Sequence, residues 1–393
     1  MATLSGRTHR TGYHIRGGMH LDYIWDHPDD TTYTNTYGNY VNALPSNEWD
    51  FVTMQPFYKA ESTLGQDENR IIDFIDLTRS GPSLSTRFFI YSAWPSSPET
   101  YQTTWTQAVS NDPDQSTVHS RDYFTYLYDN VTDHYGDDVE LFVIPIGEVM
   151  FKLDQEFRAG RFAGYDDISD LYRDQVHLSN DVGRFVAATT TFATLFREDP
   201  TGLERPAGFY PYPSGPSAIT DELRIFLQEI VWEVVSQHPD SGVDARPDGF
   251  IFSDVIDVAV DDDILSNEIV VSGVNVATEV TIENGAFSIN GSPYSSEPAM
   301  VEDGDRVRVM IRSSSDYSTI VSSLLVIGGM SDTFSAMTID EPVSPAVITP
   351  QDNDQDDTET ADVAVTESSA ALDGLSIVVL LSLIAISRRF YQV

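Results

Sequence analysis

Three short apolar runs constrain this chain more than any other feature. "EWDFVTMQPF" (48–57), "TRFFIYSAWP" (86–95) and "VELFVIPIG" (139–147) each meet a proline at or near their end, as buried strands often do. Helical patterns lie between them. Residues 68–79 place Ile71, Ile72, Ile75 and Thr78 on one face, and 121–135 do the same with Phe124, Leu127, Tyr128 and Val131. A third helix is expected directly after the third run, with Gly160 as its stop. Strand–helix alternation of this kind predicts a three-layer α/β domain on a parallel sheet, with ligands at the carboxyl ends of the strands.

The pattern continues with two long helices. Asn180 or Asp181 is placed to cap one that carries Val182, Phe185, Val186, Thr189, Phe192, Ala193 and Phe196. The other, within 219–239, carries Leu223, Phe226, Leu227, Ile230, Val231, Val234 and Val235 and closes a domain over about 1–240. A proline- and glycine-rich surface segment (204–218) separates them. From about 248 the apolar period changes to two. Seven short alternating runs with tight-turn signals at Asn284-Gly285, Asn290-Gly291 and Asp303-Gly304 predict an immunoglobulin-like β-sandwich over 248–341. Residues 342–371 are acidic, poor in large apolar groups, and read as a disordered linker.

Charge and composition narrow the partners. Lys59 and Lys152 are the only lysines, and the net charge is −40, so nucleic acid and anionic membrane surfaces are disfavoured. Such a surface suits salty water, where screening reduces self-repulsion. With no cysteine, disulfides, thiolate zinc sites and iron–sulfur clusters are excluded. No two histidines have the spacing of a metal pair, "DNDQDD" (352–357) lacks the glycine and distal glutamate of a calcium loop, and no cofactor is expected.

The last segment, 372–393, holds "LSIVVLLSLIAI" followed by Arg388 and Arg389. It is shorter than the roughly 20 apolar residues of an ordinary spanning helix. A polar linker, a short apolar run and terminal arginines resemble the C-terminal sorting tails of exported bacterial proteins. The proline-glutamate-proline motif of those tails is absent, and a plain C-terminal membrane anchor is the alternative. Either places the bulk of the chain outside the cell, since arginines favour the cytoplasmic side. No signal peptide precedes it, because the first eighteen residues hold no apolar run.

The chemistry centres on Asp174-Gln-Val-His177, the single Asp-x-x-His in the chain. A carboxylate three residues from an imidazole can hold one ring nitrogen and leave the other free to take a proton. The pair stands late in the α/β region, just before its broadest apolar helix. Here the chain resembles the SGNH (GDSL-type) hydrolases, over about residues 10–200, through "IPIGEVMFKLDQEFRAGRFAGYDDISDLYRDQVHLSNDVGRF". That resemblance implies a flavodoxin-like α/β/α fold and ester or related acyl hydrolysis, possible substrates including acylated polysaccharide. It makes His177 the general base and Asp174 its orienter. It also likens "GRTHRTGYHIRGGMHLDYI" (6–24) to the family's second strand and the glycine turn after it, with Gly17 or Gly18 as an oxyanion donor and Gln55 in place of the family's third-motif asparagine. The β-rich segment is similar to Ig-like modules of bacterial surface proteins.

The family's Gly-Asp-Ser or Gly-Asn-Ser nucleophile motif does not occur. Two readings account for that. One start that lies too far downstream would remove signal peptide, first strand and serine together; otherwise the site is degenerate. Ser5 is the lone serine near the N-terminus and a poor nucleophile candidate. His14 and His20 are expected to be structural, with a place lining the cleft as the alternative, His27 a loop residue rather than a ligand, and Asp166-Asp167 a solvated face. The chain is thus expected to be an exported, surface-associated esterase lacking its nucleophile, with a non-catalytic surface binding or adhesion protein as the alternative.

Overall fold

The computed structural model describes residues 2–3, 5–32, 36–57, 62–206 and 219–342. The apolar tail (372–393), the acidic linker beyond Pro342 and most of the proline-rich segment 204–218 lie outside them. Among the described residues no helix is long and apolar enough to cross a membrane.

The chain enters through two short helices, α1 (Leu21–Asp26) and α2 (Tyr40–Ser46), then alternates. β1 (Phe51–Met54), α3 (Leu64–Arg79), β2 (Arg87–Tyr91), α4 (Tyr101–Trp105), α5 (Arg121–Tyr135), β3 (Leu141–Ile144) and α6 (Ile146–Arg158) follow in order. All three strands are parallel, in spatial order β1-β2-β3, as the apolar runs predict. Thr63 and Gln66 close a reciprocal capping box that starts α3 four residues before the periodicity alone indicates. Asp181 caps α7 (Val182–Phe196), and Thr220 caps α8 (Asp221–Gln237). α3 packs against α1, α2 and α5, whereas α6, α7 and α8 pack against one another. Strand register explains the division. Phe51, Phe89 and Phe142 share the sheet face that meets Phe196 of α7, and alternate residues point to the opposite face.

One expectation fails here. No strand forms within residues 6–24, where the resemblance places one; residues 7–16 are irregular and the chain turns at Gly17 and Gly18 before the His20 cap of α1. The register shows what this leaves. Arg87 donates its amide to Asp50 O, so even-numbered residues of β1 bond to β2 and the backbone groups of Phe51 and Thr53 point outward. Among the described residues β1 therefore has no strand on its outer side. The far edge is covered: the Val143 amide donates to Asp240 O (2.7 Å).

The second core is all-β. β4 (Val255–Val258), β5 (Asp263–Val270), β6 (Thr278–Glu283), β7 (Ala286–Ile289), β8 (Ala299–Val301), β9 (Arg306–Arg312), β10 (Ile320–Ile327) and β11 (Met330–Thr338) make two sheets, β4-β11-β10-β6-β8 and β5-β9-β7. Their inward residues, among them Val280, Leu325 and Phe334 from one and Phe287, Val307 and Val309 from the other, form a single cluster. Asn284 and Asn290 adopt the left-handed backbone that the turn signals require. "GFIFSDV" is overcalled as a strand, since pairing begins only at Val255, and the three-residue β8 is too short for its periodicity to register.

Candidate functional site

The Asp174–His177 pair sits on a loop built to be rigid. Buried Asp154 accepts from the Ile168 amide (2.8 Å), fixing a 3-10 turn at Ile168–Leu171. From there the chain folds back on itself through a Tyr172–Leu178 bridge, an Arg173 amide bond to His177 O (2.9 Å), and a Ser179 amide bond to Leu171 O (2.7 Å). Gly183 makes room for this return. A Cβ there would lie 2.3 Å from Leu171 O.

The loop is then docked on the segment that leaves β2, at the carboxyl end of the sheet. Trp94 Nε1 donates to Val176 O (2.8 Å), Tyr172 Oη to Pro95 O (2.8 Å), and the Ser97 amide to Gln175 O (2.7 Å). Ser97 adopts a left-handed backbone (φ 66°) to make that last bond. Buried His119 supports Trp94 from below, its Nδ1 2.8 Å from Trp94 O, and burial holds its pKa down at about 4. Sequence reasoning passed over Trp94, Ser97 and His119, which bear on the site through tertiary contacts alone.

Within the loop, His177 Nδ1 lies 2.9 Å from both oxygens of Asp174. The same carboxylate accepts the amides of His177 (2.8 Å) and Val176 (2.9 Å). These backbone donors, first His177 and then Val176, lower the Asp174 pKa to about 2. An ionised carboxylate only accepts, so in the neutral imidazole the proton sits on Nδ1 and Nε2 carries the lone pair. Both side chains are about half exposed. The arrangement can take a proton from a hydroxyl or water delivered to Nε2.

The other anticipated residues are not joined to it. Gln55 is exposed and follows β1 at the same carboxyl edge of the sheet. The Gly17 amide donates to Thr32 Oγ1 (3.2 Å), and Gly18 turns the chain at φ +71°. Among the described residues no hydrogen bond or ion pair links Gly17, Gly18 or Gln55 to the His177 loop. The Ser5 hydroxyl donates to Ala2 O, and the neighbouring Arg7 is paired with Glu198 at the opposite end of α7 from the site. His20 caps α1, His27 ends that helix stacked on Tyr23, and His14 sets its ring edge against Tyr40. Asp166 is exposed, and the partly exposed Asp167 in addition caps the 3-10 turn by accepting from the Ser169 amide. No group of three or more His, Asp or Glu residues that could hold a metal ion is found among the described residues.

No protein-family model matches the chain. No curated protein matches it either. Among solved structures, a DUF4886 family protein from Bacteroides uniformis is similar at 16% identity and a TM-score of 0.40, over 60% of this chain and 86% of that one. An endo-fucoidan hydrolase of glycoside hydrolase family 107 is similar at 10% identity and a TM-score of 0.16, over 77% of this chain and 52% of that one. Likenesses at these scores do not bear on activity.

Proposed function

We propose that the α/β region is an SGNH-like acyl-ester hydrolase domain of flavodoxin-like descent, in which His177 is the general base and Asp174 its orienter. The observation that supports this most is the His177 Nδ1 contact with both Asp174 oxygens, on a loop braced against the carboxyl end of the sheet. In this reading His177 Nε2 takes the proton of an attacking hydroxyl and later returns it to the leaving alkoxide, while Asp174 stabilises the transient imidazolium. Gln55, at the same edge, is the oxyanion donor we favour over Gly17 or Gly18. The β-sandwich is read as an Ig-like module, supported by its two packed sheets, antiparallel except for the β4–β11 pair. The whole is taken as an exported, surface-associated protein tethered through 372–393.

A second reading draws on the absent Gly-Asp/Asn-Ser triplet. In that reading the same domain is a non-catalytic surface binding module. Hydrolysis of short p-nitrophenyl acyl esters separates the two, measured on this chain and on the chain with its upstream reading frame included. The hydrolase reading expects His177→Ala and Asp174→Asn each to lower kcat on the order of a thousandfold with the fold intact. Absence of turnover from both forms, or turnover indifferent to His177→Ala, leaves the binding module.

A further inference from the structure

Lysine is almost absent, so arginine supplies nearly all the positive charge of this acidic chain, and three guanidinium groups gather where α7 ends, at the amino edge of the parallel sheet. Arg7 lies over the Phe196 ring (5.3 Å) and is paired with Glu198 (2.8 Å). Arg87, the first residue of β2, lies over Phe51 (4.6 Å) and reaches Leu195 O at 3.4 Å. Arg197, the residue that ends α7, lies over Phe142 (5.3 Å). Phe51, Phe89 and Phe142 form one row across the three strands, so Arg87 and Arg197 stand over a continuous aromatic floor.

Arg7 has its carboxylate, but Arg87 and Arg197 do not. Among the described residues neither has an acidic oxygen within 4.0 Å; Asp50 and Glu140 act on Arg87 only from a greater distance. Burial first, and the Arg197 charge second, lower the pKa of Arg87, so the two cations repel each other in a half-buried setting. Arg197 also holds a left-handed backbone (φ 51°, ψ 50°) at a helix end where glycine is the usual residue. A cap alone would not call for arginine there.

We propose that Arg87 and Arg197 form an oxyanion clamp that takes a carboxylate, sulfate or phosphate group between their planar forks. Guanidinium suits this role because it stays charged, presents paired donors and lies flat on aromatic rings while doing so. The aromatic floor excludes water from one side, and the bound anion removes the repulsion between the two cations. The clamp lies at the opposite sheet edge from His177, so it stands or falls independently of the hydrolase reading.

The test is calorimetric titration of the intact chain with sodium sulfate, inorganic phosphate and sodium acetate, at an ionic strength held constant with sodium chloride. The clamp expects saturable binding of one anion per chain, weakened at least tenfold in Arg87→Gln and Arg197→Gln. Preference for sulfate and phosphate over acetate, or the reverse, assigns the ligand class. Arg197→Gly keeps the proposal testable if Arg87→Gln fails to fold. It relieves the left-handed strain, so its melting temperature should rise while its anion binding is lost. Binding retained in Arg197→Gly, or no saturable heat in the parent chain, overturns the clamp. A sulfate-induced rise in melting temperature equal in parent and variants marks general salting effects only, and also overturns it.

Discussion

Two carboxyl groups show how place rather than type sets behaviour at the scale of single residues. Asp174 is exposed and receives two backbone N–H groups, so it stays ionised down to about pH 2. Asp67, in the first turn of α3, is fully buried, and desolvation pushes its pKa up to about 7 despite hydrogen bonds from Tyr123 and Ser62. The consequence for stability has a definite sign. An unfolded Asp ionises near 3.8, whereas the folded protein keeps this proton until about 7. The native state thus binds more protons across that window, and the stability Asp67 contributes is full below pH 3.8 and lost as pH rises through 7. Asp67→Asn, which can still accept from Tyr123, should flatten the dependence by about 2–3 kcal/mol between pH 5 and pH 8. Urea denaturation of parent and variant at the two pH values measures it; equal slopes in both exclude Asp67 as the source. The Asp-x-x-His spacing was legible from residues alone, because a four-residue turn closes that pair locally. The burial of Asp67 was not, because it depends on α5 supplying Tyr123 from 56 positions away.

At the scale of elements, the loop carrying the pair depends on a contact that no helix propensity reveals. Gly183 is a poor helix former in the first turn of α7, yet any side chain there meets Leu171 O, with Leu178 Cβ next nearest at 2.9 Å. Gly183→Ala should lower stability by about 1–3 kcal/mol through overpacking, although alanine favours helix. It should also move the loop off Trp94, seen as a change in Trp fluorescence and in the imidazole resonances of His177. A stabilised variant with unchanged resonances would show that the loop is not held by this contact. The three strands and the long helices were readable because burial on a sheet face imposes period two and burial of one helix face imposes period 3.6. The segment before Gly17 reads like a strand and is not one. A strand needs a partner ladder, and alternation alone supplies none.

Over the whole molecule the dominant quantity is charge. With a net charge of −40, most carboxylates of the surface stand without a cation, and the salt bridges that do form are largely exposed pairs of small individual worth. Self-repulsion is then screened by salt, the Debye length falling from about 10 Å at 0.1 M to about 3 Å at 1 M. The melting temperature should rise steadily between 0.1 and 2 M sodium chloride and level off once repulsion is screened. A flat or falling curve, followed by differential scanning fluorimetry, would mean the acidic surface costs the fold little.

Local periodicity was enough to mark from sequence the three parallel strands, the buried faces of the long helices and the turns at Asn284 and Asn290, since each follows from bonds and burial a few residues apart. It also determined that Asp174 and His177 belong together. Tertiary structure alone decided the rest. It set that pair at the carboxyl end of the sheet through Trp94, Tyr172 and Ser97, joined Gly17 to Thr32 rather than to that loop among the described residues, and brought Arg87 and Arg197 together from positions 110 residues apart. Contacts of that span depend on how helices settle on a sheet, and packing of that kind leaves no periodic trace in the order of residues.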